Sequence, residues 1–211
     1  MAAHTLQETE CYLKEIDITS KGIQTMNLKK IISDKKIALI GNAASLFEKN
    51  YGEDIDGHDV VCRINKGPVL CTTRNENSHG MRTDILFYGD PAIIEDVIPH
   101  LPDEIIYILT HVKYKNKKHP EGNLYKISQS QYDKFKRESG YTEKGKWPSS
   151  GLSAIFLLLD YGPQLISLYG FDWKETPTFY KKGTRENELR HDFELEKKII
   201  NDLSNSVRIH L

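Results

Sequence analysis

Four short stretches of this sequence carry residue types that could do chemistry: "IGNAAS" (40–45), "RIN" (63–65), "WPSSGLSA" (147–154) and "RHDFELE" (190–196). Gly41 lets the backbone approach a ligand closely, while Asn42 and Asn65 each bring an amide with donors and an acceptor. Two such amides converging on one edge would suit a phosphate or a sugar nucleotide. The structural alternative is an Asx turn at each loop start. In the third stretch Pro148 breaks what precedes, Ser149 or Ser150 can cap a helix, and Gly151 leaves backbone N–H groups uncovered. Free amides and the helix dipole both favour an anion there, although an ordinary core helix also needs a cap. In the fourth, His191 falls just before or within the first turn of a predicted helix, where the dipole disfavours an imidazolium. A neutral imidazole can accept a proton. Asp192 and Glu194 pull the other way, and a surface histidine at a helix start is the plain alternative. The spacing HxxxxE sets Glu196 off the His191 face of a regular helix, so the two need not touch.

Other chemistries are set aside by what the chain lacks. GxGxxG, GxxxxGK[ST] and GxSxG are absent, as are HExxH and two histidines at i and i+4, so dehydrogenases, P-loop enzymes, α/β-hydrolases and zinc hydrolases leave the front rank. Asp54-Ile55-Asp56 spells the DxD of metal-dependent glycosyltransferases, but it sits in a loop before a strand where turn contacts are expected, and no metal is expected. Histidines 4, 58, 79, 100, 111, 119 and 210 form no ligand spacing. Three cysteines, Cys11, Cys62 and Cys71, fit neither a disulfide framework nor a zinc site. Lys plus Arg is 29 against 30 for Asp plus Glu, a net charge of −1 that argues against nucleic-acid coating. The basic runs at 113–119 and 179–185 do not change that balance, and the first reads as a solvated loop face. No stretch approaches the ~20 apolar residues of a membrane span, and the N-terminal residues are polar. The expectation is a cytoplasmic protein in a reducing compartment, with no transmembrane segment in this chain.

The elements that must position these residues follow from hydrophobic pattern. At 211 residues the chain fits one domain. Residues 1–34 read as a helix plus linker, and 35–211 as the domain. Short apolar runs at 35–41, 58–65, 83–89, 104–110, 164–171 and 206–211 read as strands. Helices are expected at 43–52 (stopped by Gly52), 91–101, 148–162 and 191–204. Residues 111–146 are charged and weakly periodic, which suggests a mobile, substrate-facing insertion. Alternating strands and helices imply an α/β, Rossmann-like domain with a mainly parallel central sheet flanked by helices. Ligands of such sheets bind beyond the carboxyl ends of the strands. There the sequence puts Gly41-Asn42, Arg63-Ile64-Asn65, Gly89-Asp90 and Tyr169-Gly170-Phe171-Asp172, so a ligand cleft is expected along that edge.

Taken in order, these stretches resemble the sialyltransferases with sialylmotifs, glycosyltransferase family 29. "ALIGNAASLFEKNYGEDIDGHDVVCRINKGP" (38–68) with "HGMRTDILFY" (79–88) is similar to the large motif, which binds the CMP part of the donor. "WPSSGLSAIFLLLDYGPQLISLYGF" (147–171) is similar to the small motif, "HDFELE" (191–196) matches the very small motif, and "TFYKK" (178–182) falls where the third motif, typically His-Tyr-Tyr, would lie. The resemblance implies a variant GT-A glycosyltransferase fold and inverting, metal-independent transfer of sialic acid from CMP-sialic acid to a hydroxyl of a glycan or glycolipid. No cofactor beyond the donor is implied. Asn42 and Asn65 would hold the phosphate and nearby groups of CMP, with Gly41 beside them. Ser149, Ser150 and Gly151 would meet phosphate or cytidine, and Tyr169, Gly170 and Phe171 would wall the nucleotide. Tyr180 belongs to the third motif, and His191 would be the general base.

This sequence departs from the family at three points. The third motif's His is Phe179, for which Lys181, Lys182 or Arg185 could substitute. The disulfide between the large and small motifs has no counterpart, and the anchor and stem of animal members are missing. A compact, prokaryote- or virus-like member is implied. Two rival readings stay open: transfer of another CMP-activated acid such as Kdo, and a non-catalytic nucleotide-binding module.

Overall fold

The computed structural model describes residues 17–18, 24–25, 27–141, 146–180, 190–204 and 209–210. A short antiparallel pair, β1 (Asp17–Ile18) and β2 (Gln24–Thr25), precedes the main sheet. The main sheet comprises β3 (Lys36–Ile40), β4 (Val60–Ile64), β5 (Ile85–Tyr88), β6 (Ile106–Leu109), β7 (Asn123–Lys126), β8 (Leu165–Tyr169) and β9 (Ile209–His210). Their order is β7-β6-β5-β4-β3-β8-β9, and each neighbouring pair is parallel. The α-helices are α1 (Leu28–Ile32), α2 (Gly52–Asp56), α3 (Glu76–His79), α4 (Ile94–Val97), α5 (Gln129–Glu138), α6 (Ser150–Asp160) and α7 (Phe193–Ser204).

The inner strands read as continuous apolar runs because both faces of the sheet are covered. Ile37, Leu39, Cys62, Ile64, Phe87, Ile108 and Leu168 point to one face, where Leu28 of α1, Phe135 of α5, Leu152 and Ile155 of α6 and Ile200 of α7 pack on them. The alternate residues point the other way. Leu86, Tyr88, Tyr107 and Leu109 meet Ile94 and Val97 of α4, while Ala38, Ile40, Val61 and Tyr169 meet Leu46 and Ile55.

Several expected elements differ. The single helix expected over 43–52 is a 3-10 turn (Ala44–Glu48) followed by α2, which Gly52 begins instead of stopping a helix. A Cβ on Gly52 would overlap the Glu76 carbonyl oxygen, so the glycine marks close packing of α2 on α3. Residues 91–101 break into a 3-10 turn, α4 and a second 3-10 turn, the last carrying Pro99, which cannot donate to a continuing helix. Residues 111–146 also carry regular elements of the framework. β7 extends the sheet beside β6, and α5 opens with a capping box in which Gln131 N donates to Ser128 Oγ at 3.1 Å. Its periodicity is weak because β7 is an edge strand whose residues are only half-buried or exposed. Residues 142–145 and most of 1–26 lie outside the described residues, and β9 covers two residues of the strand expected at 206–211.

Arg63, expected on the ligand edge, is fully buried under the opposite face. Its guanidinium donates to the carbonyls of Arg82 (2.9 Å) and His79 (2.6 Å) and to Thr83 Oγ1 (3.1 Å), tying 79–83 to β4. Burial lowers its pKa, against nearby Cys71, Asp56 and Asp84.

Candidate active site

Strands β4 to β7 run outward on one side of β3, whereas β8 and β9 lie on the other, so the winding reverses between β3 and β8. A crevice opens where connections leave such a switch point in opposite directions. Here it holds about 780 Å³ of empty space. Gly41, Asn42, Asn65, Ser149, Ser150, Gly151, Gly170, Phe171, Tyr180 and His191 all line it. Tyr169 does not, which corrects the sequence reading. It faces the other side of the sheet, where its hydroxyl donates to Asp54 Oδ2. Phe171 reaches the crevice because Gly170, at φ +65°, re-aims the chain.

The glycines and asparagines are shaped by the protein first. A Cβ on Gly41 would overlap the Gly170 carbonyl oxygen, so Gly41 lets β3 and β8 close on each other as well as leaving room above. Gly41→Ala is therefore expected to cost about 2 kcal/mol of stability, read from urea unfolding, because the obstacle is backbone and cannot rotate away. Asn42 Nδ2 donates to the Ile64 carbonyl at 3.0 Å, which fixes the amide's orientation and leaves its buried Oδ1 with no partner among the described residues. Asn65 sits at φ +51°, a conformation Asn tolerates better than most residues. Its Oδ1 accepts from Gly89 N at 3.0 Å. Burial raises the Tyr180 pKa, keeping the phenol protonated.

The start of α6 already meets a carboxylate of the protein itself. Glu196 is 1% exposed and accepts from Ser149 N (2.8 Å), Ser149 Oγ (2.7 Å) and the Tyr141 hydroxyl (2.8 Å). Ser149 Oγ also accepts from Leu152 N at 3.1 Å, so Ser149 is the N-cap. Ser150 Oγ accepts from Thr110 Oγ1 at 3.2 Å. The amides of Ser150 and Gly151 open the helix, where no intrahelical partner exists, and both residues border the crevice. Burial raises the Glu196 pKa, opposed by the Ser149 and Tyr141 donors.

His191 Nδ1 lies 2.8 Å from the Trp147 carbonyl oxygen. A carbonyl can only accept, so Nδ1 carries the hydrogen and Nε2 is the basic nitrogen. Burial is the largest cause lowering the His191 pKa; the Trp147 bond opposes it, and the charges of Lys174, Arg190 and Lys113 add to it. The imidazole is neutral at pH 7.

Beside it, His111, Val112, Lys113, Tyr132 and Trp147 line a second hollow of about 450 Å³. Burial, then His191 and Lys113, push the His111 pKa down to about 4. Trp147 links the two spaces, with its ring 6.3 Å from that of His191 and the Lys113 ammonium 4.8 Å above its face.

The sequence reading put Asp172 on this edge but missed the loop that it organises after β8. Asp172 Oδ2 accepts from Thr176 N (3.1 Å), Ser45 Oγ (3.0 Å) and Thr176 Oγ1, and its Oδ1 from Lys174 N (3.2 Å). This holds Trp173 and Lys174 at φ +55° and +73°. Asp172, Trp173, Lys174, Thr176, Thr178 and Phe193 all border the crevice. An Asp followed by polar residues two and four positions on is an Asx-turn signal that was available in "FDWKETP". The third-motif segment is stapled beneath through Ala44 N to Pro177 O (3.0 Å) and Phe179 N to Asn42 O (3.1 Å). Phe179 packs against Tyr180, with ring centres 4.9 Å apart. Lys181, Lys182 and Arg185 lie outside the described residues.

Asp54 and Asp56 are committed elsewhere, Asp54 to Tyr169 and Asp56 to the amides of Met81 (2.7 Å) and Arg82 (3.0 Å). Among the described residues no three His, Cys, Asp or Glu side chains cluster as a metal site would require, and no helix is long and apolar enough to cross a membrane.

An open, doubly wound parallel sheet with a polar crevice at its switch point defines a Rossmann-like α/β protein. Within that class the chain belongs to glycosyltransferase family 29 (sialyltransferase), whose sequence model matches residues 4–113. It is 37% identical over 79 residues to the human type 2 lactosamine alpha-2,3-sialyltransferase, covering 37% of this chain and 23% of that one. It is 23% identical over 210 residues to the mouse CMP-N-acetylneuraminate-beta-galactosamide-alpha-2,3-sialyltransferase 1, covering 86% of this chain and 61% of the relative. The chain thus spans less than two thirds of these curated relatives. Its fold matches the crystal structure of a mammalian sialyltransferase with a TM-score of 0.64 at 24% identity, over 97% of this chain and 77% of that one. It also matches the Campylobacter jejuni sialyltransferase CstII in complex with CMP-3FNeuAc, with a TM-score of 0.54 at 17% identity, over 83% and 78%.

Proposed function

We propose that this chain transfers sialic acid from CMP-sialic acid to a hydroxyl of a glycan, with inversion, without a metal ion, and with His191 as general base. The observation that carries the reading is the tautomer of His191. Its Nδ1–H is held by the Trp147 carbonyl, so Nε2 is left basic in a ring that borders the crevice. The acceptor oxygen attacks the anomeric carbon from the face opposite the phosphate. The bond from that carbon to the phosphate oxygen breaks, CMP leaves with the electron pair, and the acceptor proton passes to Nε2.

CMP is a good leaving group, so the protein's main task is to meet charge developing on the phosphate. The Ser150 and Gly151 amides at the start of α6 suit that task. The free Oδ1 of Asn42 suits a hydroxyl of the nucleotide better than a phosphate oxygen, because it can only accept. The acceptor saccharide fits the hollow beside His191, where the Trp147 and Tyr132 rings offer apolar faces to a sugar. Names of the relatives that include CMP-N-acetylneuraminate and a galactosamide support both substrate classes.

The test is transfer from CMP-sialic acid to a mixture of neutral galactosides in EDTA, followed across pH. Product is expected with EDTA present. The rate should be flat near pH 7–8 and fall only below about 6.5, because burial lowers the His191 pKa and the neutral ring is the active form. CMP binding with neither transfer nor donor hydrolysis would instead leave a binding module, and full loss of activity in EDTA would remove the metal-free mechanism.

A further inference from the structure

We propose that Lys174 is a further substrate-binding residue, whose ammonium pairs with an anionic oxygen of the donor, namely the phosphate that departs with CMP. The inference rests on the function proposed above and adds a residue that none of the sequence motifs contains.

Charge accounting in the crevice leads to it. A CMP-sugar acid brings negative charge on its phosphate, and cleavage adds another there. Among the described residues that border the crevice, Lys174 is the one lysine or arginine. His191 is neutral, so it brings no positive charge of its own. Backbone amides orient a phosphate, but in a space shielded from water a full positive charge does far more to hold a growing negative one.

The loop holds Lys174 at the edge of the crevice. Asp172 draws the chain back on itself, fixing Lys174 at φ +73°, a conformation that asparagine or glycine adopts more easily than lysine. The Lys174 ammonium lies 5.5 Å from the centre of the Phe193 ring, two residues beyond His191, and its charge contributes to keeping that histidine unprotonated. One cation thus sits within the electrostatic reach of both the proposed base and the space for the leaving group.

The experiment compares wild type, K174N and K174R in binding CMP (phosphate, no carboxylate), cytidine (neither group) and CMP-sialic acid (both). Asparagine removes the charge yet tolerates the left-handed backbone, so the loop keeps its shape. K174N is expected to bind CMP about tenfold or more weakly, as loss of a charge-assisted contact predicts. Cytidine affinity should stay within about twofold and Tm should not fall, while K174R should stay within about threefold of wild type for CMP. Unchanged CMP binding by K174N would overturn the proposal. Weakening confined to CMP-sialic acid would move the contact to the sugar carboxylate and overturn the phosphate assignment. Equal weakening for cytidine would point to loop shape instead of charge, with the same consequence. Wild-type protein that binds no CMP at all would remove the proposed function first, a result separable from the others.

Discussion

Replacing His191 with alanine is expected to reduce sialyl transfer about a thousandfold while leaving CMP affinity within about twofold. The asymmetry follows from where the ring sits. Its Nδ1 donates to the Trp147 carbonyl at 2.8 Å, so the ring is aligned by the backbone just ahead of α6 and presents Nε2 as its basic nitrogen. The nucleotide contacts proposed for Asn42 and the start of α6 need nothing from the imidazole. Its other neighbours are the Trp147 and Phe193 rings, 6.3 and 5.8 Å away between centres, so the fold loses little. Single-turnover transfer would give the rate and calorimetry the CMP affinity. Residual activity in the alanine variant should also lose its acid limb, since the titrating group is gone. Turnover within tenfold of wild type would end the assignment of His191 as base.

The crevice was legible from sequence because its residues cluster where apolar runs stop. Gly41-Asn42 ends β3, Asn65 follows β4, and Gly170-Phe171 follows β8, so parallel pairing alone carries them to one edge. Tyr169 shows the limit of that reasoning. Strand residues alternate faces, and one position decides between the crevice and the Asp54 side, which the motif's spelling does not reveal. The start of α6 shows another limit. "PSSG" announces free amides, but only the fold brings Glu196, 47 residues later, to take the first of them. Arg63 likewise reads as a strand-end cation until the segment 79–83 is seen wrapped around it. The residues after Asp172 escaped because their signal is local turn chemistry with no hydrophobic period, and β7 because an edge strand need not be apolar on both faces.

Removing the Glu196 carboxylate should be the most damaging change to the frame of this site. Glu196→Ala would strand Ser149 N and Ser149 Oγ in a dry interior and leave the Tyr141 hydroxyl with only its longer bond to the Asp192 carbonyl at 3.4 Å. Leaving such groups unmet is expected to cost about 3 kcal/mol or more in urea unfolding. It would also release the start of α6, so transfer should fall with stability. Glu196→Gln separates charge from shape. Burial holds the Glu196 carboxyl above its usual value of 4.5 in spite of its donors, so the folded chain binds this proton more tightly than the unfolded chain. Its contribution to stability is then fullest below 4.5 and declines as pH rises through the folded value. Glutamine has no such proton. Its variant should therefore lose that part of the pH slope while keeping the overall shape, whereas alanine should be weakened at every pH. A glutamine variant with the wild-type slope, or an alanine variant within about 1 kcal/mol of wild type, would show that the three hydrogen bonds do not set the geometry at the start of α6.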